Sequence, residues 1–348
     1  MQLWMAVFVG FWAVSLLGCS DGGDGSGSPG SGGQSGAGAT TGGADGSGGA
    51  DASTGGVSGD GSGGTPGGPD IGLVSAAKRR IAAGRRHACA VTESRRIECW
   101  GFGQSGVPDD DGYESVAARG DYSCALKMDG ASFCWRNGGV PTEEPLTDIA
   151  VGTSTTGCGI AASDGRLLCW PDDAAAPQGA LDSGGGHTRV VRRGASYLCT
   201  LSTEGTVKCW RDADPLNDVI DGGVPSGSFV DLWNSVGRDI CAITSRGEAF
   251  CWGSNQNLYD VANGDIFRQI VPGGEAGAAL ICGILPDRTA ECFGTGVVVT
   301  NPPPAGVEFA EIAVGEDIAC GIAMDGSVHC WGDEGIEQPP AGLTALVD

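Results

Sequence analysis

Seven times along this 348-residue chain a cysteine is followed ten or eleven positions later by another: 89/99, 124/134, 158/169, 199/209, 241/251, 282/292 and 320/330. The first members of these pairs recur every 34 to 42 residues, a period that belongs to arrays of one repeated supersecondary unit. Each pair brackets a turn. In "CALKMDGASFC" a three-residue loop of Met128, Asp129 and Gly130, with the glycine left-handed, is a favoured hairpin connection. That loop sets Lys127 opposite Ala131, and counting outward sets Cys124 opposite Cys134. The facing cysteines fall at a non-hydrogen-bonded pair, where α-carbons approach to about 4.5 Å, within the reach of a disulfide. The spacing therefore predicts one bond across each hairpin: Cys89 to Cys99, Cys124 to Cys134, Cys158 to Cys169, Cys199 to Cys209, Cys241 to Cys251, Cys282 to Cys292 and Cys320 to Cys330. In the chain-entropy model each such closure stabilises by about 2–3 kcal/mol. The third pair is eleven apart, and a four-residue loop ending at Gly165 restores the same facing arrangement.

Other residues keep register with the cysteines. Gly130, Gly165, Gly205, Gly247 and Gly326 occupy the equivalent turn position, whereas Arg95 and Arg288 occupy it in the first and sixth units. An L-residue in a left-handed turn is strained, so those two hairpins are expected to use a different turn. An aromatic follows every second cysteine: Trp100, Trp135, Trp170, Trp210, Trp252, Phe293 and Trp331. Six tryptophans in one register could form a carbohydrate platform, but the plainer reading is packing between neighbouring units, where large rings bury much apolar area. In "FAEIAVGEDIACGIAMDGSVHCWG" the unit reads as three strands: one around Ile312 to Val314, one around Ala319 to Ala323 and one ending at Trp331. Helical periodicity is absent from this region.

Fourteen of the fifteen cysteines belong to the pattern, and the remaining one is Cys19. Residues 3 to 17 are an apolar run ending in Leu16, Leu17, Gly18 and Cys19, which resembles a lipoprotein signal peptide (1–18) whose cleavage leaves Cys19 as the lipid-bearing first residue. The run is shorter than the roughly 20 apolar residues a spanning helix needs. The usual positive charge before it is missing from "MQLWM". From Ser20 to Asp70 there are 22 glycines, no aromatic residue and no Lys or Arg, so this stretch cannot bury enough apolar surface to offset chain entropy. Residues 19–70 therefore read as a lipidated cysteine and a flexible tether, with a reach of about 40 Å at roughly 5–6 Å per square root of length. The folded domain is expected over 71–348.

From Ile71 onward all 20 Lys and Arg face 37 of the 43 Asp and Glu, a balance that disfavours nucleic acid as a partner. Regularly paired cysteines in this number point to an oxidising compartment. No catalytic, cofactor or metal motif stands out. His87, His187 and His329 are the only histidines, and the cysteines lack the close pairs of a zinc site. They read as structural. The acidic stretch from Asp212 to Asp221 has Asn217 where a calcium loop needs glycine, and reads as a solvated loop. "SDGRLLCW" at Ser163 to Trp170 does not reproduce the turn of sialidase propellers. The first unit concentrates Lys78, Arg79, Arg80, Arg85, Arg86, Arg95 and Arg96 in an otherwise acidic domain, a candidate dock for an acidic partner or lipid headgroups.

The pattern carried by Gly84, His87, Cys89, Ala90, Cys99, Trp100 and Gly101, and repeated with variation from Arg80 to Asp348, resembles the repeats of the regulator of chromosome condensation family, bacterial members in particular. The resemblance implies an all-β, seven-bladed β-propeller with short three- to four-stranded blades. "LTALVD" at Leu343 to Asp348 looks like a further copy of the first-strand phrase and is expected to close the ring against the first blade. The functional expectation is a monomeric, non-enzymatic, membrane-tethered extracytoplasmic scaffold, held to the bilayer of a bacterial membrane through acylated Cys19. It would bind a protein or glycan on one rim through the loops 101–113, 136–146, 171–189, 211–229, 253–266, 294–308 and 332–342. The alternative is a secreted enzyme or enzyme inhibitor using the central opening. Carboxylates converging at one mouth would favour that alternative; a lining of small apolar residues would favour binding. Regulation of a GTPase is the remaining, family-derived option, and it lacks the insertions and basic tail that would carry it.

Overall fold

The structure, a computed structural model, describes residues 78–347 except for 103–104, 137–140, 153–154, 172–175, 178, 194–196, 212–223, 235–238, 254–263, 275–279 and 334–337. Cys19, the Gly/Ser tract and the acidic stretch from Asp212 to Asp221 lie outside the described residues.

Seven antiparallel sheets of three strands follow one another along the chain. Blade 1 is β1 (Ile81–Ala83), β2 (His87–Val91) and β3 (Ile97–Gly101); blade 2 is β4 (Tyr113–Arg119), β5 (Tyr122–Lys127) and β6 (Ser132–Trp135). Blade 3 is β7 (Leu146–Val151), β8 (Gly157–Ala161) and β9 (Leu167–Trp170); blade 4 is β10 (His187–Arg193), β11 (Tyr197–Ser202) and β12 (Val207–Arg211). Blade 5 is β13 (Phe229–Asn234), β14 (Ile240–Thr244) and β15 (Ala249–Trp252). Blade 6 is β16 (Gln269–Gly273), β17 (Leu280–Ile284) and β18 (Ala290–Gly294), and blade 7 is β19 (Phe309–Val314), β20 (Ile318–Ala323) and β21 (Val328–Gly332). The first strand of each blade packs on that of the next, and β1 packs on β19, so the first strands form the inner wall of a closed ring. This is the seven-bladed propeller. Each blade has three strands, and one short helix, α1 (Val297–Thr300), interrupts the connection from blade 6 to blade 7. Its sequence of β-branched residues gave no helical signal.

The cysteines face one another in the strand register, as in Cys124 opposite Cys134, and all seven pairs are bonded, with α-carbons 4.0 to 4.1 Å apart. The turn between second and third strands ends on a left-handed residue in every blade, although the loop of blade 3 is one residue longer. Gly130, Gly165, Gly205, Gly247 and Gly326 have φ between 72° and 86°, and Arg95 and Arg288 adopt 58° and 70°. The expectation of a different turn at the two arginines is therefore wrong. The reason is a contact made by the turn residue's carbonyl. It accepts the N–H that opens the next inner strand: Tyr113 to Arg95, Leu146 to Gly130, Phe229 to Gly205 and Phe309 to Arg288, at 2.8 to 2.9 Å. A different turn would remove that link between blades, and the left-handed backbone is retained at a cost of about 1–2 kcal/mol.

The C-terminal residues meet blade 1 at the seam with blade 7. Ala345 donates to the Gly326 carbonyl at 2.8 Å, in the same way the other inner strands begin, and Leu346 donates to the Val91 carbonyl at 2.9 Å. Thr344 bridges Ser327 of blade 7 while Ala345 bridges Thr92 of blade 1. The last residues thus supply the missing start of β1. This is the closure that the repeated "LTALVD" phrase leads one to expect.

Five of the seven aromatics in the register are buried, and Trp210 and Phe293 are half-buried. Trp100 packs among Ala313, Ile318 and Cys320 of blade 7 as well as its own blade. Trp135 sits with Cys89, Val91 and Ile97 of blade 1, and Trp170 with Tyr122, Cys124 and Leu126 of blade 2. Gly157 lies against the Trp170 ring, where a β-carbon would come within 2.1 Å of the indole. In blade 3 the ring therefore needs bare backbone at its strand partner.

Candidate functional site at the axis of the ring

Seven inner strands bring equivalent residues together around the axis, and the local backbone decides which side chain points there. In blades 2, 3, 4, 5 and 7 the first strand carries a register shift just before its third residue, as between Leu146 and Asp148. A bulge of this kind re-aims the side chain that follows it. The residues so placed are Ser115, Asp148, Arg189, Asp231 and Glu311, all buried; Gln269 and Arg80 occupy the corresponding position in blades 6 and 1. They form a polar belt at one mouth of the axis.

Hydrogen bonds link the belt from blade to blade. Val190 N–H donates to the Asp148 carboxylate at 2.8 Å. Ile312 N–H donates to Gln269 Oε1 at 2.8 Å. Arg80 N–H is shared by both Glu311 oxygens at 3.0 Å. Three different side chains thus solve one problem, the satisfaction of a backbone donor in the next blade. Between them Arg189 is clamped, with Nη1 to Asp148 at 2.9 Å and Nε to Asp231 at 2.8 Å. Burial opposes its charge, but Asp231 and Asp148 more than offset that and hold its pKa above the ordinary arginine value. Burial pushes the Glu311 carboxyl up to about 7, against the pull of the Arg80 N–H and charge.

Arginines also reach past their neighbours. Arg79, just before β1, donates from Nη2 to the Leu232 carbonyl of blade 5, at 2.5 Å, and stands 3.9 Å from Asp231. Blades 1 and 5 are not adjacent in the ring. Toward the other mouth, Arg119 of blade 2 donates to the Arg192 carbonyl of blade 4 at 2.9 Å, and Asn234 of blade 5 donates to the same oxygen at 2.8 Å. Between these ties the axis is walled by Ala82, Ala117, Ala150 and Ala313 with a few larger neighbours, enclosing about 100 Å³. Binding clefts for small molecules run to roughly 300–1,000 Å³. The axis is a plugged shaft.

Both features sought at the sequence level are therefore present: carboxylates converge at one mouth, and small apolar residues line the shaft. The carboxylates are already engaged. The seven basic residues of the first unit are not brought together: Arg79 and Arg80 enter the axis, Lys78 pairs with Glu114, Arg85 pairs with Glu316 at 3.1 Å, and Arg96 bonds the Asp109 carbonyl. Arg95 turns the second hairpin, on the opposite face from Arg86, which stacks over Phe102 at 4.7 Å. The histidines serve local structure. His87 is buried and bonded through Nε2 to Ser123 Oγ of blade 2 at 2.8 Å, and burial lowers its pKa to about 4. His187 bonds Ser183 and His329 bonds Ser327. Among the described residues no group of three or more His, Cys, Asp or Glu could hold a metal ion.

The connections between blades are placed differently from the expectation of a single binding rim. Each outer strand ends beside the start of its middle strand, as Gly101 does opposite His87. Each next inner strand begins beside the turn at the other end of the hairpin. The described ends of each connection therefore lie at opposite faces of the ring. Sequence reasoning also missed the polar belt, whose residue types change from blade to blade; its one available signal was position, three residues into each inner strand.

No protein-family model matches the chain. Solved structures do resemble it. The CRINKLY WD40 ectodomain of the Arabidopsis thaliana receptor kinase ACR4 superposes with a TM-score of 0.58 at 22% identity, over 75% of this chain and 98% of that one. The ectodomain of the Physcomitrella patens receptor kinase CR4 gives 0.55 at 20% identity, over 73% and 71%. Prp20p of Saccharomyces cerevisiae gives 0.50 at 12% identity, over 72% and 81%. These likenesses agree with the seven-bladed propeller described above. At these identities the likeness concerns the fold alone.

Proposed function

We propose that this chain is a membrane-tethered, extracytoplasmic bacterial lipoprotein whose propeller binds a protein or glycan partner and performs no chemistry. The observation that carries the reading is the state of the axis: Asp148 and Asp231 are committed to Arg189, and Glu311 to the Arg80 N–H. None of these groups is left to act as an acid or base on a substrate. The compartment follows from chemistry. Seven disulfides suit an oxidising environment, and no described helix is long and apolar enough to cross a membrane. The "LLGC" ending at Cys19 supplies the tether. Supporting analogies are of fold: two neighbours are receptor ectodomains, and the structural work on Prp20p concerns its binding to Gsp1p and histones.

Membrane fractionation tests the tether. Cys19→Ser should move the protein from the membrane pellet to the soluble fraction, and unchanged retention would defeat the lipid anchor. Affinity capture with the full chain, identified by mass spectrometry, should return a partner whose recovery needs a folded, oxidised propeller. Recovery that survives reduction and unfolding would defeat specific binding by the ring.

A further inference from the structure

Between blades 3 and 4, on the face that carries the second hairpin turns, lies a concavity of about 640 Å³. Its size falls in the range of small-ligand sites. Arg189 lines it. With Nη1 on Asp148 and Nε on Asp231, the remaining nitrogen, Nη2, is buried and has no partner. A buried donor left unmatched costs about 1–3 kcal/mol, and the double clamp fixes this one in place.

Charge selects the ligand. Lys78, also at the rim, is paired with Glu114, Arg189 with two aspartates, and Asp164 with Arg166. The formal charges around the concavity are thus already neutralised, and an anion finds no net attraction there. Hydroxyls take their place. Thr147 and Thr188 donate to the Ile160 and Leu201 carbonyls, which leaves their oxygens as acceptors, and Thr203 adds another hydroxyl. Leu201 and Val230 supply an apolar patch beside them. A surface that alternates one fixed donor, several acceptors and a small apolar face matches a group that both donates and accepts along a carbon skeleton.

We propose that this concavity binds a neutral polyhydroxylated ligand, a saccharide, with Arg189 Nη2 donating to a ring or hydroxyl oxygen. The proposal rests on the binding reading above and names the ligand class and the place.

Saturation-transfer NMR of the full chain with maltose, cellobiose and N,N′-diacetylchitobiose tests it, with glucuronate and inorganic phosphate as anionic controls. At least one neutral disaccharide should bind, and neither control should compete. Val230→Trp, at a position 37% exposed on the concavity wall, fills the concavity and should weaken binding at least about tenfold, or 1.4 kcal/mol. Thr203→Val, an exposed and nearly isosteric change, should weaken it by a smaller factor and serves if the tryptophan impairs folding. Absence of transfer from every neutral disaccharide, preference for an anion, or binding unchanged in both variants would overturn the site. A protein partner captured equally by wild type and Val230→Trp would overturn it too, while leaving the scaffold reading in place.

Discussion

The Arg79 guanidinium crosses the ring axis to the Leu232 carbonyl at 2.5 Å, tying blade 1 to blade 5 although the two share no interface. A propeller closed only by neighbour contacts could open at any seam. This tie restrains the ring across its diameter. Arg79→Ala should therefore destabilise the domain by about 1–3 kcal/mol, the range for a buried acceptor left without its charged donor. Arg85→Ala, which removes a largely exposed ion pair with Glu316, should stay within about 0.5 kcal/mol of wild type. Urea unfolding of the two variants makes the comparison, and equal effects would mean that the crossing contact contributes nothing particular.

Glu311 sits on the seam between blades 7 and 1 and should give it a pH dependence. Its carboxyl is raised from 4.5 to about 7 by burial, so between those values the folded state holds a proton that the unfolded state releases. The associated stability is complete below pH 4.5 and is lost as pH rises toward 7. Glu311→Gln, which copies the solution Gln269 already uses one blade earlier, should remove that loss and gain up to about 3 kcal/mol at pH 8. His87, lowered to about 4, acts in the opposite sense, losing stability as pH falls below its unfolded value. It is common to both proteins and cancels in their difference. Thermal midpoints from pH 4.5 to 8 should converge at the acid end and diverge at the basic end; parallel curves would refute the effect.

Arg95 and Arg288 hold left-handed turns at φ 58° and 70° where five blades use glycine. Replacing each with glycine should stabilise by about 1 kcal/mol, seen as a raised melting midpoint with unchanged circular dichroism. A fall in midpoint would mean the arginine side chains contribute more than the strain costs.

Removing residues 343–348 should unlatch the ring. Three backbone hydrogen bonds to blades 1 and 7 are lost, Ala345 to Gly326, Leu346 to Val91 and Glu93 to Thr344, at about 1 kcal/mol each. Blades 1 and 7 should show the largest rise in amide exchange. A uniform rise around the ring would contradict a local seam.

Much of this fold is legible in the chain because its determinants are local. The cysteine spacing, the turn glycines and the trailing tryptophans each act within one hairpin or against the next blade, and each repeats. The axis was illegible for the opposite reason. Arg79 and Leu232 are 153 positions apart, and the belt they join is made of Arg, Ser, Asp, Gln and Glu at one shared position. A chemical role shared by unlike residues leaves no pattern to read. The basic cluster misled in a related way. Its residues are neighbours in sequence, but two strands and their turns separate Arg79 on the axis, Arg86 on one face and Arg95 on the other.

Non-reducing peptide mapping tests most directly whether each repeat is one stapled blade. After proteolysis under acid conditions, mass spectrometry should find Cys89 linked to Cys99, Cys124 to Cys134, and so on through Cys320 to Cys330, with no free thiol among the fourteen cysteines of the seven units. Linkages joining cysteines of different units, or a majority of them unlinked, would contradict the fold on which every inference above depends.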